Sequence, residues 1–205
     1  VKYVKCDLSK TKEIKLFFKK TKNNYKEFTI LINNARYKTN SELYENSSNW
    51  NKSISIGLSA PFLVSQEVIK YSKMGGSIIN ICSIASKLVT HQSPSYHVVK
   101  GGLLSLNRYL AVKAGPKNFT VNAILPGLII QDDHLERFNS KENQAYKEMS
   151  VNYQPMRSVG KQKDISDLVL FLSSKESRYI SGSEINLDGA ASVQEQFSLL
   201  NNPEK

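Results

Sequence analysis

The stretch Ser77-Ile78-Ile79-Asn80-Ile81 sets isoleucine at 78, 79 and 81. Successive side chains of a strand point to opposite faces, so this segment is apolar on both and must be covered on both. Phe28 to Ile32 is a second such run, ending at Asn33-Asn34, and Phe119 to Leu125 a third, closed by Pro126-Gly127. Tyr3 to Cys6 and Glu184 to Leu187 read as shorter strands. Helical patterns lie between them. One runs from Lys10 to Asn23, and a long one from about Ser48 to Lys73 with Ile54, Leu58, Phe62, Val68 and Ile69 on its apolar side. A third covers Ser95 to Ala114. Asp164 is expected to cap the last, where Ile165, Leu168, Val169 and Leu172 recur at helical spacing. Doubly buried strands alternating with helices predict an α/β fold, a doubly wound parallel sheet.

The 205 residues, with 40% hydrophobic and 22% charged, predict one domain spanning 1–205. The longest apolar run, Val121 to Ile130, is broken by Asn122 and Pro126-Gly127 and falls short of the roughly 20 residues that span a bilayer. No membrane partner is expected. No stretch has the build of a secretory leader, and Cys6 and Cys82 are lone thiols, so the cytoplasm is the expected compartment. The net charge of +10 raises nucleic acid as a partner, but nine lysines against Asp7, Glu13 and Glu27 place +6 of it between Val1 and Glu27. There Ile14, Phe17 and Phe18 recur at helical spacing, and no aromatic residue interleaves with the basic face. The lysines read as the wet side of an amphipathic helix, and no nucleic acid is expected to bind.

One long segment, Ile130 to Ser158, is polar and has no clear periodicity. It leaves the carboxyl end of a strand, where open α/β sheets bind ligands, so it reads as a lid or as a loosely helical surface excursion.

Tyr96 and Lys100 stand four apart at a helix start, on one face. A free phenol titrates near 10, and a neighbouring ammonium lowers that value by roughly 1 to 3 units, toward a usable acid or base. The strand at Ser77 runs into Ser83, thirteen residues before Tyr96, and can bring a hydroxyl beside the phenol.

With Ile32-Asn33-Asn34-Ala35, GGSIINICSIAS, Tyr96-x-x-x-Lys100-Gly101-Gly102, VNAILPGLI and ISGSEINLDGA after SVGKQKDIS, the chain resembles the short-chain dehydrogenase/reductase family in order and spacing. The resemblance implies a Rossmann-like fold and hydride transfer between NAD or NADP and a carbonyl or alcohol. It implies Tyr96 as proton donor and acceptor, Lys100 as the cation that tunes it and holds the nicotinamide ribose, and Ser83 as a hydrogen-bond donor to the reacting oxygen. It places Asp7 and Leu8 by the adenine, Asn33 and Ala35 by the adenine ribose, and Pro126, Gly127 and Ile129 at the carboxamide. It also implies a homodimer or homotetramer formed through the two long helices. His91, in the loop between Ser83 and Tyr96, is a candidate substrate contact by location.

Four departures stand out. No glycine precedes Gly57, so the family's first strand, phosphate-binding turn, first helix and second strand are missing from these residues. The sequence is therefore expected to be a fragment or the product of a truncated gene. Its fold should lack the first βαβ portion, its Tyr3 to Cys6 strand should have no ladder partners, and it should bind NAD(P)H poorly. Arg36 stands where the family has glycine, and a positive φ there would cost about 1 kcal/mol. Gly57 stands where the catalytic asparagine usually is, and Gln131 where a threonine often is.

Other residues have plainer readings. Cys82 and His97 read as packing or surface, and Asp132, Asp133, His134 and Glu136 match no familiar metal spacing, so no metal is expected. Two functions remain open: an NAD(P)-dependent oxidoreductase acting on a small carbonyl or alcohol, or a non-catalytic relative or inactive fragment that has lost cofactor binding. A polar lid favours a polar substrate.

Overall fold

In the computed structural model, residues 2–21, 25, 27–39, 43–195, 197 and 198 are described. Four parallel strands form the main sheet in the order β1 (Ile30–Asn33), β2 (Gly76–Ile81), β3 (Phe119–Pro126) and β6 (Glu184–Leu187). A second, two-stranded sheet joins β4 (Ile129–Ile130) to β5 (Gly160–Lys161). The helices are α1 (Thr11–Thr21), α2 (Ser47–Ile54), α3 (Ala60–Tyr71), α4 (Pro94–Ala114), α5 (Leu135–Phe138), α6 (Gln144–Tyr153) and α7 (Gln162–Leu172). A π-helical turn, Ser55–Ser59, joins α2 to α3 without a break.

Pleating sorts the core into two layers. Ile78 and Val121 face the side carrying α1, α3 and α4, where they meet Phe18, Val68 and Leu110. Ile79, Ile81 and Ile124 face the opposite side and close on Leu172 of α7. The sheet is covered on both faces, as its doubly apolar strands require. Among the described residues no helix is long and apolar enough to cross a membrane.

Some expectations need correction. Residues 3–6 form no strand and take no place in the sheet; Tyr3 is 93% exposed. β1 is consequently an edge, with Ile30 and Ile32 about half exposed at 50% and 46%. Phe62 does not join the core. It lies on the outer side of α3, because the π turn shifts the face that α2 presents. Asp164 is not the cap of α7. It sits one turn in and accepts the Lys161 N–H at 2.8 Å, the back-bonding half of a capping box. Ile130 to Ser158 is helical, through α5, α6 and the 3-10 turns Asp132–His134 and Lys141–Asn143. The helix expected to reach Asn23 is described from Thr11 to Thr21, and Asn23 lies outside the described residues.

A run of side-chain amides crosses the main sheet. Asn33 donates to Asn80 at 2.8 Å, Asn80 to Asn107 of α4 at 3.0 Å, and Asn107 to the Ser183 carbonyl at 3.4 Å. Asn80 and Asn107 are fully buried. Asn80→Ala strands the Asn33 donor and the Asn107 acceptor, each at about 1–3 kcal/mol, so a loss of about 2–6 kcal/mol is expected in urea unfolding. A loss under about 1 kcal/mol would show the relay to be replaceable by water.

Candidate active site

α4 starts where several short-range rules agree. Ser93 is the N-cap, its Oγ accepting the Tyr96 N–H at 3.3 Å, and Pro94 opens the helix. Glu45, fifty residues earlier in the chain, adds a cap from outside. Its carboxylate accepts the Ser95 N–H at 2.9 Å and the Ser95 hydroxyl at 2.8 Å. Ser95 lies 2.9 Å from Ser53 of α2, which ties the two helices at the turn that carries Tyr96. His97 holds the preceding loop. Its Nδ1 lies 2.9 Å from the Ser93 carbonyl and its Nε2 accepts the Thr90 N–H at 2.9 Å, a pairing that a neutral ring with the proton on Nδ1 satisfies.

Lys100 comes one turn after Tyr96, and its Nζ lies 5.6 Å from the centre of the phenol ring. The ammonium is 4% exposed and donates to the Ile81 carbonyl at 2.7 Å, at the end of β2. Burial, with a smaller push from the Arg36 guanidinium, brings its pKa down to about 8. Ser83 is extended at the β2 exit, and its turn packs on α4. Its Oγ accepts the Ala85 N–H at 3.1 Å, which leaves the hydroxyl proton to donate elsewhere. Among the described residues the Tyr96 hydroxyl has no hydrogen-bond partner.

A small cleft gathers Tyr96 and Lys100 with Arg36, Tyr37, Ser53 and Gly57. Arg36 does not adopt a positive φ, so the strain expected there is absent; its Cζ lies 5.8 Å from the Tyr96 ring centre. Gly57 is sterically closed. A Cβ there would stand 2.5 Å from Val99 Cγ1, and one on Gly102 would stand 3.0 Å from Leu58 Cδ2. Each helix thus offers a glycine to a side chain of the other, and the π turn and α4 approach closely.

A larger cleft of about 280 Å³ runs along the β1 edge, lined by Leu8, Asn33, Asn34 and Ala35 together with apolar residues of α1 and α3. Asn33 is there, but its amide is spent on Asn80. Asp7 is not in that lining. Ser9, through its N–H and hydroxyl, holds the Asp7 carboxylate down to about 2, helped by Lys10. Pro126 is laddered to Leu187, the Gly127 N–H donates to the Leu187 carbonyl, and Ile129 pairs with Gly160, so this segment is held by backbone bonds. His91 is exposed against Gln92 and lines neither cleft. Gln131, Asp132, Asp133, His134 and Glu136 are exposed, and no metal-holding cluster forms among the described residues. Cys82 is buried, which pushes its thiol up to about 12 and leaves it inert.

Reading the sequence missed Glu45, Ser53, Val99 and the contacts of Arg36. Only Arg36 carried a signal, as a bulky cation where glycine was expected; the others act across distances in sequence that no spacing rule spans.

Residues 1–191 match the family model described as enoyl-(acyl carrier protein) reductase. The 3-oxoacyl-(acyl-carrier-protein) reductase FabG of Buchnera aphidicola is 33% identical over 163 residues, covering 78% of this chain and 65% of that one. An uncharacterized oxidoreductase of Thermotoga maritima is 30% identical over 187 residues, covering 89% and 74%. The solved structure of a 4-hydroxyisoleucine dehydrogenase mutant complexed with NADH and succinate superposes with a TM-score of 0.85 at 29% identity, over 94% of this chain and 80% of that one. The chain spans 65% and 74% of the length of these two curated relatives.

Two predictions follow from this geometry. Gly57→Asn alone is expected to destabilise by about 1–3 kcal/mol through overpacking, and adding Val99→Ala should recover at least half; additive losses would mean the two residues do not meet. For Lys100, the folded value near 8 lies below the usual 10.5, so between those values the unfolded chain holds a proton the folded chain has released. Stability attributable to Lys100 therefore rises with pH across that window. In urea titrations the difference between parent and Lys100→Met should move in the parent's favour from pH 8 to 10.5; a flat difference would mean the buried amine keeps its proton.

Proposed function

The chain belongs to the short-chain dehydrogenase/reductase family, and on that footing we propose that it acts as an NAD(P)-dependent oxidoreductase on a small carbonyl or alcohol, with Tyr96 as its acid and base. The observation that carries this reading is the buried Lys100 ammonium set 5.6 Å from the Tyr96 ring, in a cleft that leaves the phenol hydroxyl free.

The residues fit the two ends of a nicotinamide dinucleotide and not its middle. Lys100 and Tyr96 form a polar corner suited to the nicotinamide ribose, and Leu8 and Ala35 border an apolar cleft suited to the adenosine. No glycine-rich turn among these residues cradles a pyrophosphate. When bound, the cofactor supplies or takes up the hydride. The chain's own residues manage the proton. Tyr96 gives its phenolic proton to the carbonyl oxygen during reduction and takes it back during oxidation. Ser83, its lone pair held by Ala85, donates to the same oxygen as negative charge develops there. Lys100 places a cation beside the tyrosinate left behind, and its bond to Ile81 keeps it from swinging out to solvent.

The name of the Buchnera relative favours an acyl thioester ketone as substrate and that of the solved dehydrogenase a small hydroxy acid; the resemblance extends to both. Exposed Phe62, Val98, Tyr109 and Val112 on α3 and α4 support pairing of two copies through these helices. One observation favours the alternative of a non-catalytic relative: Val99 occupies the space that an asparagine side chain at 57 would need.

Tyr96→Phe removes the proton donor and keeps the ring. Carbonyl reduction with NADH or NADPH should fall at least ~100-fold while far-ultraviolet circular dichroism stays unchanged. Retained turnover would take Tyr96 out of the mechanism.

A further inference from the structure

We propose that Arg36 recognises an anionic group of the compound reduced at Tyr96, and that this compound is a short keto acid whose carboxylate lies close to the reacting carbonyl. The inference rests on the oxidoreductase reading for the word "reduced"; the anion site itself stands on geometry. Arg36 stands three residues past Asn33, the last residue of β1, at the carboxyl edge where open α/β sheets take their ligands. Its guanidinium carbon lies 5.8 Å from the centre of the Tyr96 ring, and it shares the small cleft with Tyr96 and Lys100.

No carboxylate lines that cleft, and no ion pair to Arg36 forms among the described residues. The acid on the neighbouring loop, Glu45, is spent on Ser95. Two cations therefore flank one phenol, and among the described residues no anion lies between them. Arg36 already weakens the hold of Lys100 on its proton, so a bound anion relieves a repulsion that the protein otherwise carries.

The anion is a carboxylate rather than a phosphate. A guanidinium also pairs with phosphate, but a phosphate carries a third oxygen and further charge that call for more donors, such as the free backbone amides of a helix start. At the start of α4 the Ser95 amide is given to Glu45 and the Tyr96 amide to Ser93, so no cradle is left. What remains is a single planar fork, and that matches a carboxylate edge-on.

Acetoacetate and methyl acetoacetate present the same ketone with and without the charge. With the full 205-residue chain, the Nε–H signal of Arg36, identified by its loss in Arg36→Gln, is followed by NMR during titration with each. The acid should shift it saturably, the ester should bind about tenfold more weakly or less, and Arg36→Gln should abolish that preference as read on neighbouring signals. Arg36→Lys, which keeps the charge and loses the fork, should hold only part of it. Equal affinity for acid and ester, no saturable shift with the acid, or a preference surviving in Arg36→Gln overturns the proposal. So does a signal that moves with inorganic pyrophosphate and not with acetoacetate, since the anion would then be a phosphate. Because binding is read without turnover, a failure of hydride transfer leaves this result standing. Tyr96→Phe separates the two readings by stopping turnover while keeping the acid preference.

Discussion

The position of α4 depends on a buried line of amides. Apolar packing alone would let a helix slide or rotate by a fraction of a turn over a sheet, because dispersion has no preferred direction. Asn107, bonded to Asn80 and to the Ser183 carbonyl, removes that freedom. A buried amide left unmatched is costly, so only one register of helix on sheet satisfies all of them. Lys100 lies seven residues before Asn107, on the same helical face, and the same register brings its ammonium to the Ile81 carbonyl. Tyr96 lies one further turn out, where the sheet ends and solvent begins. The amides that lock the core thereby set the depth of both Lys100 and Tyr96.

Depth then sorts the charges. Lys100 is buried deeply enough to hold its proton weakly, while Arg36 stays at the mouth. The walls contribute no carboxylate, so the cleft is a positive field bounded by hydroxyls and a phenol ring. Such a field does little for a neutral ground state and more for an oxyanion or a tyrosinate, the two charges that carbonyl reduction creates.

Much of the fold was legible because it rests on short-range regularities. Doubly apolar runs identified β2, β3 and β1, and the four-residue spacing of Tyr96 and Lys100 held on α4. Asn80 was visible only as an interruption in an apolar run, since its meaning lies in Asn33 and Asn107, far away along the chain. Tyr3 to Cys6 has the alternation of a strand, but a strand needs a neighbour, and among the described residues β1 pairs with β2 alone. Arg36 was read through a backbone requirement that the local geometry does not impose. The Glu45 cap spans fifty residues between a loop and a helix start, a contact no periodicity encodes.

The interlock of Gly57 with Val99 and of Gly102 with Leu58 bears on the history of the site. Where two helices close on a glycine, any larger residue at that position is resisted. An asparagine arising at 57 would meet a methyl group before it met any ligand, so that single step would be disfavoured even if the residue were useful. A smaller residue at 99 would have to come first and would bring no gain alone. Drift can cross such a valley more easily than selection can, and the pair of positions acts as a ratchet that holds a lineage to the polar groups it has kept.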